Sequence, residues 1–133
     1  MKGIEIIFLA FGATAGAFIR FKISESTLVL GSIPLNILIV NILGSFILGL
    51  FIVISQLWNI DGKYSLLLAV GFCGSLTTMS SFALDSSNLL SNGNYTALCI
   101  NILANVGLSI GALIAGKEIM NLILNWQILN SFF

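Results

Sequence analysis

Apolar residues run along this chain in long blocks, broken by short polar stretches near residues 20–32, 59–63 and 91–94. An α-helix needs about 20 mostly apolar residues to cross the hydrocarbon core of a bilayer. The blocks at 33–58, 64–90 and 95–116 meet that length, and the block at 4–21 is slightly short of it but still makes a span. Four membrane-spanning helices are predicted. Residues 117–133 mix Ile, Leu, Trp and Phe with Asn and Gln and are too polar for a fifth span. They read as a helical extension or an interfacial segment, beyond a four-helix membrane domain at 1–116.

The third block carries the densest chemistry. Gly71-Phe72-Cys73-Gly74-Ser75-Leu76-Thr77-Thr78-Met79-Ser80-Ser81-Phe82 sets two Gly and five hydroxyls at the middle of a span. Gly disfavours helix, and Ser and Thr offer the backbone competing hydrogen bonds. A helix broken here frees carbonyls and amides at membrane depth. Such groups are tolerated only when buried in protein, bound to an ion or lining a wet cavity. The pattern therefore fits a broken helix at an ion site. It also fits a small-residue face for close helix packing.

Other spans hold their polar residues at helical spacing. Asn41, Gly44 and Ser45 share one face of the second, and a neutral amide at that depth is expected to face protein. Asn101, Asn105 and Ser109 make a stripe down the fourth at steps of four. The stripe suits either an interhelical hydrogen-bond ladder or a pore wall. Gly12 and Gly16 in the first span, and Gly107, Gly111 and Gly116 in the fourth, are read as close-packing surfaces. Pro34, the only proline, is expected in the first turn of the second helix. Trp58 suits the interfacial aromatic belt. Asp85 is expected at a solvated end.

Composition narrows the classes. Of 133 residues 58% are hydrophobic and 8% charged, against about 25% charged in a soluble domain. Net charge is zero and no basic cluster exists, so nucleic acid is not an expected partner. There is no His, and Cys73 and Cys99 lie inside apolar blocks, where buried free thiols are expected rather than a disulfide or metal site. The start of the chain imitates a signal peptide, with Lys2 before an apolar run and Ala15-Gly16-Ala17 after it. The run is long enough to span and closes on Arg20 and Lys22, so retention is expected. Lys2, Lys63 and Lys117 fall on one side of the membrane, and Arg20 and Lys22 on the other. That balance gives no firm orientation. An antiparallel dimer of chains inserted both ways follows naturally, since four short helices hardly enclose a pore.

With these pieces in place, the sequence resembles the CrcB/Fluc fluoride channels over about residues 7–116. The resemblance is carried by Gly12-Ala13-Thr14-Ala15-Gly16-Ala17-Phe18-Ile19-Arg20, by Pro34 with Val40-Asn41-Ile42-Leu43-Gly44-Ser45-Phe46, by the stretch from Gly71 to Phe82, and by the Ser/Gly pattern ending at Gly116. The third piece is the most specific. The resemblance implies an all-α antiparallel, dual-topology dimer with two fluoride pores and a third helix broken at its centre. It implies a central Na⁺ held by backbone carbonyls at positions matching Gly74 and Thr77. Met79 and Phe82 match an aromatic box, and Asn41, Asn101, Asn105 and Ser109 match the polar fluoride path, with the hydroxyls of Thr78 and Ser81 beside it. Arg20 matches a vestibule cation. The implied function is passive export of fluoride across a bacterial inner membrane. Hydrogen fluoride enters neutral and dissociates inside, and the trapped anion leaves through the channel.

Departures accompany the match. Met79 replaces an aromatic, Ile37 stands where the family usually has Thr, Asn101 where it often has Tyr, and Ser75 replaces a Gly. The first three, at pore positions, raise the alternative of one subunit in a heterodimer with a degraded pore. A small multidrug-type dual-topology exporter is a second alternative, but it needs a membrane-embedded carboxylate, and Glu5 and Asp85 serve poorly. A non-transporting scaffold is a third. An enzyme is least expected, because no nucleophile–base pair or charged site assembles.

Overall fold

The computed structural model describes residues 3–130, with side chains to residue 126. Lys2, counted above in the charge balance, and residues 131–133 of the tail lie outside the described residues. Four helical spans follow one another. Helix α1 is Gly3–Ser24 and α2 is Asn36–Leu57. The third span comprises α3 (Gly62–Ser65), a π-helical stretch Leu66–Cys73, α4 (Gly74–Leu76) and α5 (Met79–Ser91). Helix α6 runs Tyr95–Asn130. All four spans are long and apolar enough to cross a membrane.

Between α1 and α2 the chain forms a small antiparallel hairpin, β1 (Val29–Leu30) with β2 (Ile33–Pro34). Gly31 turns it with a positive φ of 60°, a conformation in which Gly meets no steric cost. Pro34 is thus not in the first turn of α2. It pairs with Val29 in β2, and Leu35 stands at the position before the helix without a side-chain cap. The cause is Asn36, whose side chain ties down the preceding loop. Its Oδ1 accepts from the Leu28 amide at 3.2 Å, and its Nδ2 donates to the Ser24 carbonyl at 3.3 Å and to that of Ser26.

Two backbone-close seams hold the bundle. A β-carbon added at Gly12 would overlap the Leu67 carbonyl oxygen, and one at Gly16 the Phe72 carbonyl oxygen. Gly71 answers from the other side, where a β-carbon would stand 2.8 Å from the Leu9 oxygen. Helix α1 therefore docks directly on the π-helical stretch. In the second seam a β-carbon at Gly49 would overlap the Leu113 carbonyl oxygen, and one at Gly116 the Phe46 carbonyl oxygen. Without a water-driven hydrophobic force inside a bilayer, such close van der Waals contact is what holds helices together.

Gly107 and Gly111 are different. A β-carbon on either meets nothing within 4 Å. The expected packing surface on α6 is formed within the chain by Gly116 alone of the three. The others belong to an open face that also shows Leu103, Val106 and Ile110.

Helices α2 and α6 run parallel with a steady register. Asn41 meets Asn105, and Gly49 meets Leu113, the same offset of 64 residues in both pairs. Helix α6 runs on past Gly116, which is the helical extension expected of the tail. It continues helically through Lys117, and Leu124 is buried. At 36 residues α6 is about 54 Å long, well beyond the roughly 30 Å hydrocarbon core. Trp58 and Trp126, both exposed, fall near one level at that end, as interfacial tryptophans do.

Candidate functional site

The third helix breaks at Thr77 and Thr78, which take extended conformations (ψ 154° and 117°) between α4 and α5. In a continuous helix the Thr78 amide would donate to Gly74 and the Ser81 amide to Thr77. Both are diverted. The Thr78 amide donates to Asn41 Oδ1 at 2.8 Å, and the Ser81 amide to Thr78 Oγ1 at 3.2 Å, so Thr78 caps α5. The hydroxyl of Thr77 turns back onto the Cys73 carbonyl at 3.0 Å. The break is therefore stabilised from within the chain, while the carbonyls of Gly74 and Thr77 lose their helical donors.

The stretch before the break is wound as a π-helix, in which Gly74 N–H reaches the Ala69 carbonyl. π-winding is rare and concentrates at functional sites. Here it lies against α1, where Gly12, Gly16 and Gly71 let the backbones touch.

Asn41 joins the break to the fourth span. Its Nδ2 donates to Asn105 Oδ1 at 3.0 Å and reaches the Thr78 carbonyl at 3.5 Å. Asn105 Nδ2 in turn donates to Asn101 Oδ1 at 3.0 Å and to the Asn101 carbonyl at 3.1 Å. Asn101 Nδ2 donates to Ser86 Oγ on α5 at 3.1 Å. Asn101 and Asn105 are buried, at 1% and 5% exposure, and this ladder satisfies them.

Beside the ladder lies an open cavity of about 380 Å³. Asn41, Gly74, Thr77, Thr78, Met79, Phe82, Asn105 and Ser109 all line it, joined by Gly44 and Ser45 of α2. Ser109 Oγ is buried and meets no hydrogen-bond partner among the described residues. Phe82 is buried, whereas Met79 is 73% exposed and Gly74 is exposed, so the cavity faces outward from the chain. Two of the expected path residues stand off the lining. Asn101 is linked to it through Asn105, and Ser81 through Thr78, whose Oγ1 donates to Ser81 Oγ at 3.2 Å. Arg20 is half-buried near the end of α1 and is not part of the cavity wall.

Several side chains differ from expectation. Ile37 is buried in the core at 8% exposure and does not line the cavity. Cys73 is a buried free thiol on the cavity wall, but Cys99 is exposed on α6. Ser86 and Asn36 have partners that no short-range spacing announces. Among the described residues the wall is made of amides, hydroxyls, backbone and apolar groups, with no carboxylate, Lys or Arg in its lining. Such a wall can surround a small ion with neutral donors and ring edges. Asp85 sits half-buried on α5 outside it.

Comparison with known proteins agrees with this geometry. The family model described as CrcB-like protein, Camphor Resistance (CrcB), matches residues 7–117. A protein of Nitrosopumilus maritimus named Fluoride-specific ion channel FluC is 66% identical over 125 residues, covering 94% of this chain and 99% of that one. Proteins of the same name from Methanococcus maripaludis and Rhizobium johnstonii are each 38% identical. They cover 85% and 88% of this chain, and 93% and 96% of their own lengths.

Proposed function

The chain belongs to the CrcB family, and from that premise we propose that it is a fluoride-specific channel, letting the anion leave the cell down its gradient and so relieving fluoride toxicity. The observation that carries this reading is the broken third helix held open by Asn41, beside a cavity walled by neutral donors. Fluoride is small and strongly hydrated, so its shell must be replaced by closely set donors. The hydroxyl of Ser109, which meets no partner among the described residues, and the positive ring edge of Phe82 are of that kind, and Asn41, Asn105 and Thr78 hold the wall beside them through their own hydrogen bonds. Passive conduction needs no catalytic acid, base or nucleophile. The protein is a multi-pass membrane protein. Its relatives include an archaeal one, so the proposed setting is the cell membrane in general rather than a bacterial inner membrane.

The working unit we favour is an antiparallel pair of chains. Gly74 and Met79 are exposed on the single chain, and the cavity opens on that side. A second copy would close it. A central Na⁺ belongs to this reading, held by the carbonyls of Gly74 and Thr77. The fit is supported by the two amides diverted from those carbonyls and by the exposure of Gly74 toward a partner. A bound cation there would supply a fixed positive field to an anion in the path.

The heterodimer with a degraded pore is not favoured. Of its three motivating departures, Ile37 is core and Asn101 is an integrated member of the polar ladder, which leaves Met79. The exporter reading is not favoured by a cavity wall without a carboxylate.

The test in cells is expression in a microbial strain lacking its own fluoride exporter. Growth on fluoride should be restored by this chain and not by Phe82→Ile. Equal sensitivity with and without the chain, at matched membrane expression, would contradict the reading.

A further inference from the structure

The polar ladder does not stop at the residues assigned to the fluoride path. One run of its hydrogen bonds points a single way, while Asn41 Nδ2 also reaches back to the Thr78 carbonyl. Thr78 N–H donates to Asn41 Oδ1, Asn41 Nδ2 to Asn105 Oδ1, Asn105 Nδ2 to Asn101 Oδ1, and Asn101 Nδ2 to Ser86 Oγ. The chain begins at the break and terminates on a hydroxyl. Ser86 Oγ accepts from Asn101 and makes no other hydrogen bond among the described residues. Its own hydrogen therefore has no protein acceptor. A hydroxyl that accepts a hydrogen bond becomes a better donor, and head-to-tail chains reinforce each other in a low-dielectric setting.

We infer that Ser86 is a further residue of the fluoride path, the outermost donor on the α5 side, polarised by Asn101 to offer its O–H to the anion. The inference rests on the fluoride-channel reading above. Ser86 lies seven residues past the start of α5 and five before its end at Ser91. That places it about two turns beyond the break, on the side of the α5–α6 turn and past the cavity lining. Asp85, its neighbour, is rotated about 100° around the helix from it. Asn101 is what makes the arrangement possible. It is 1% exposed, so its amide is fixed in one orientation by Asn105 on one side and Ser86 on the other. An anion at Ser86 would complete the chain of donors that starts at Thr78.

The test measures fluoride flux against fluoride concentration in liposomes for the wild-type chain and for Ser86→Thr, Ser86→Cys and Ser86→Ala. A hydrogen bond to a charged partner is worth about tenfold in occupancy or more. Ser86→Ala should raise the half-saturating fluoride concentration about tenfold. Ser86→Thr should restore it to near the wild-type value. Ser86→Cys, with a weak S–H donor in a similar volume, should fall between and keeps the test informative if the alanine chain fails to fold. A purely structural role would lower the thermal midpoint and leave the half-saturation unmoved, which would overturn the assignment. So would a threonine chain that behaves like the alanine chain. Wild-type flux with unchanged Ser86 variants sinks Ser86 alone, whereas no wild-type fluoride flux sinks the channel reading with it.

Discussion

At the residue scale Asn41 does two things at once. Its Oδ1 holds the Thr78 amide at the break and its Nδ2 holds Asn105 on the neighbouring span. Asn41→Leu leaves a donor and an acceptor unpaired where no bulk water replaces them, at about 1–3 kcal/mol for each orphaned group. The expected outcome is a lower thermal midpoint in detergent together with lost fluoride flux. A wild-type midpoint for this variant would remove Asn41 from the support of the break. Thr78→Val removes the cap of α5 and should cost about 0.5–2 kcal/mol by the same melt. Residues such as Asn41, Asn101, Asn105 and Ser109 were legible in the sequence because polar groups at helical spacing stand out in apolar blocks. Asn36 was not. Its partners are backbone groups of Ser24, Ser26 and Leu28, eight to twelve residues earlier, and only the folded loop brings them together. Ser86 was hidden for the same reason, since its partner is fifteen residues away across a turn.

At the scale of elements, the glycines divide by what faces them. A methyl group at Gly12 would overlap the Leu67 carbonyl, which is backbone and cannot swing aside. Gly12→Ala should therefore prevent α1 from docking, read as loss of monodisperse protein on size-exclusion chromatography. Gly111→Ala meets nothing within the chain and gains helix propensity of up to about 1 kcal/mol. Its helical signal should match wild type, with any fall in melting coming from the face it shares with the second copy. If both variants behaved alike, the α1 seam would not be what holds the third span in place. The break itself was readable from clustered Gly and hydroxyl residues. The π-winding ahead of it was not, because it belongs to the contact with α1 rather than to the local sequence. Pro34 misled for a related reason. Its fixed φ suits a helix start, but the loop tied by Asn36 and the turn at Gly31 draw it into the hairpin. The helical extension past Gly116 was readable although Lys117 interrupts the apolar run. A long stem lets Lys reach the interface from a helix that continues, and α6 does continue.

At the scale of the whole molecule, the single chain presents an outward cavity, an exposed Gly74 and a nearly balanced set of charges on its two ends. The antiparallel pair and its central Na⁺ follow from these as proposals, and the Na⁺ is separately testable. If the ion binds only the folded pair, it stabilises by mass action, about 2.7 kcal/mol at a hundredfold excess over its dissociation constant. The thermal midpoint should fall when Na⁺ is replaced by N-methylglucamine and rise with added Na⁺. A midpoint indifferent to Na⁺ over about a thousandfold range would remove the cation from the account.

The most direct test of the central claim is ion efflux from liposomes holding this purified chain alone, with fluoride and chloride followed in parallel. The account predicts rapid fluoride efflux, negligible chloride efflux, and loss of the fluoride signal in Phe82→Ile. A well-folded preparation that releases neither anion, or both alike, would contradict it.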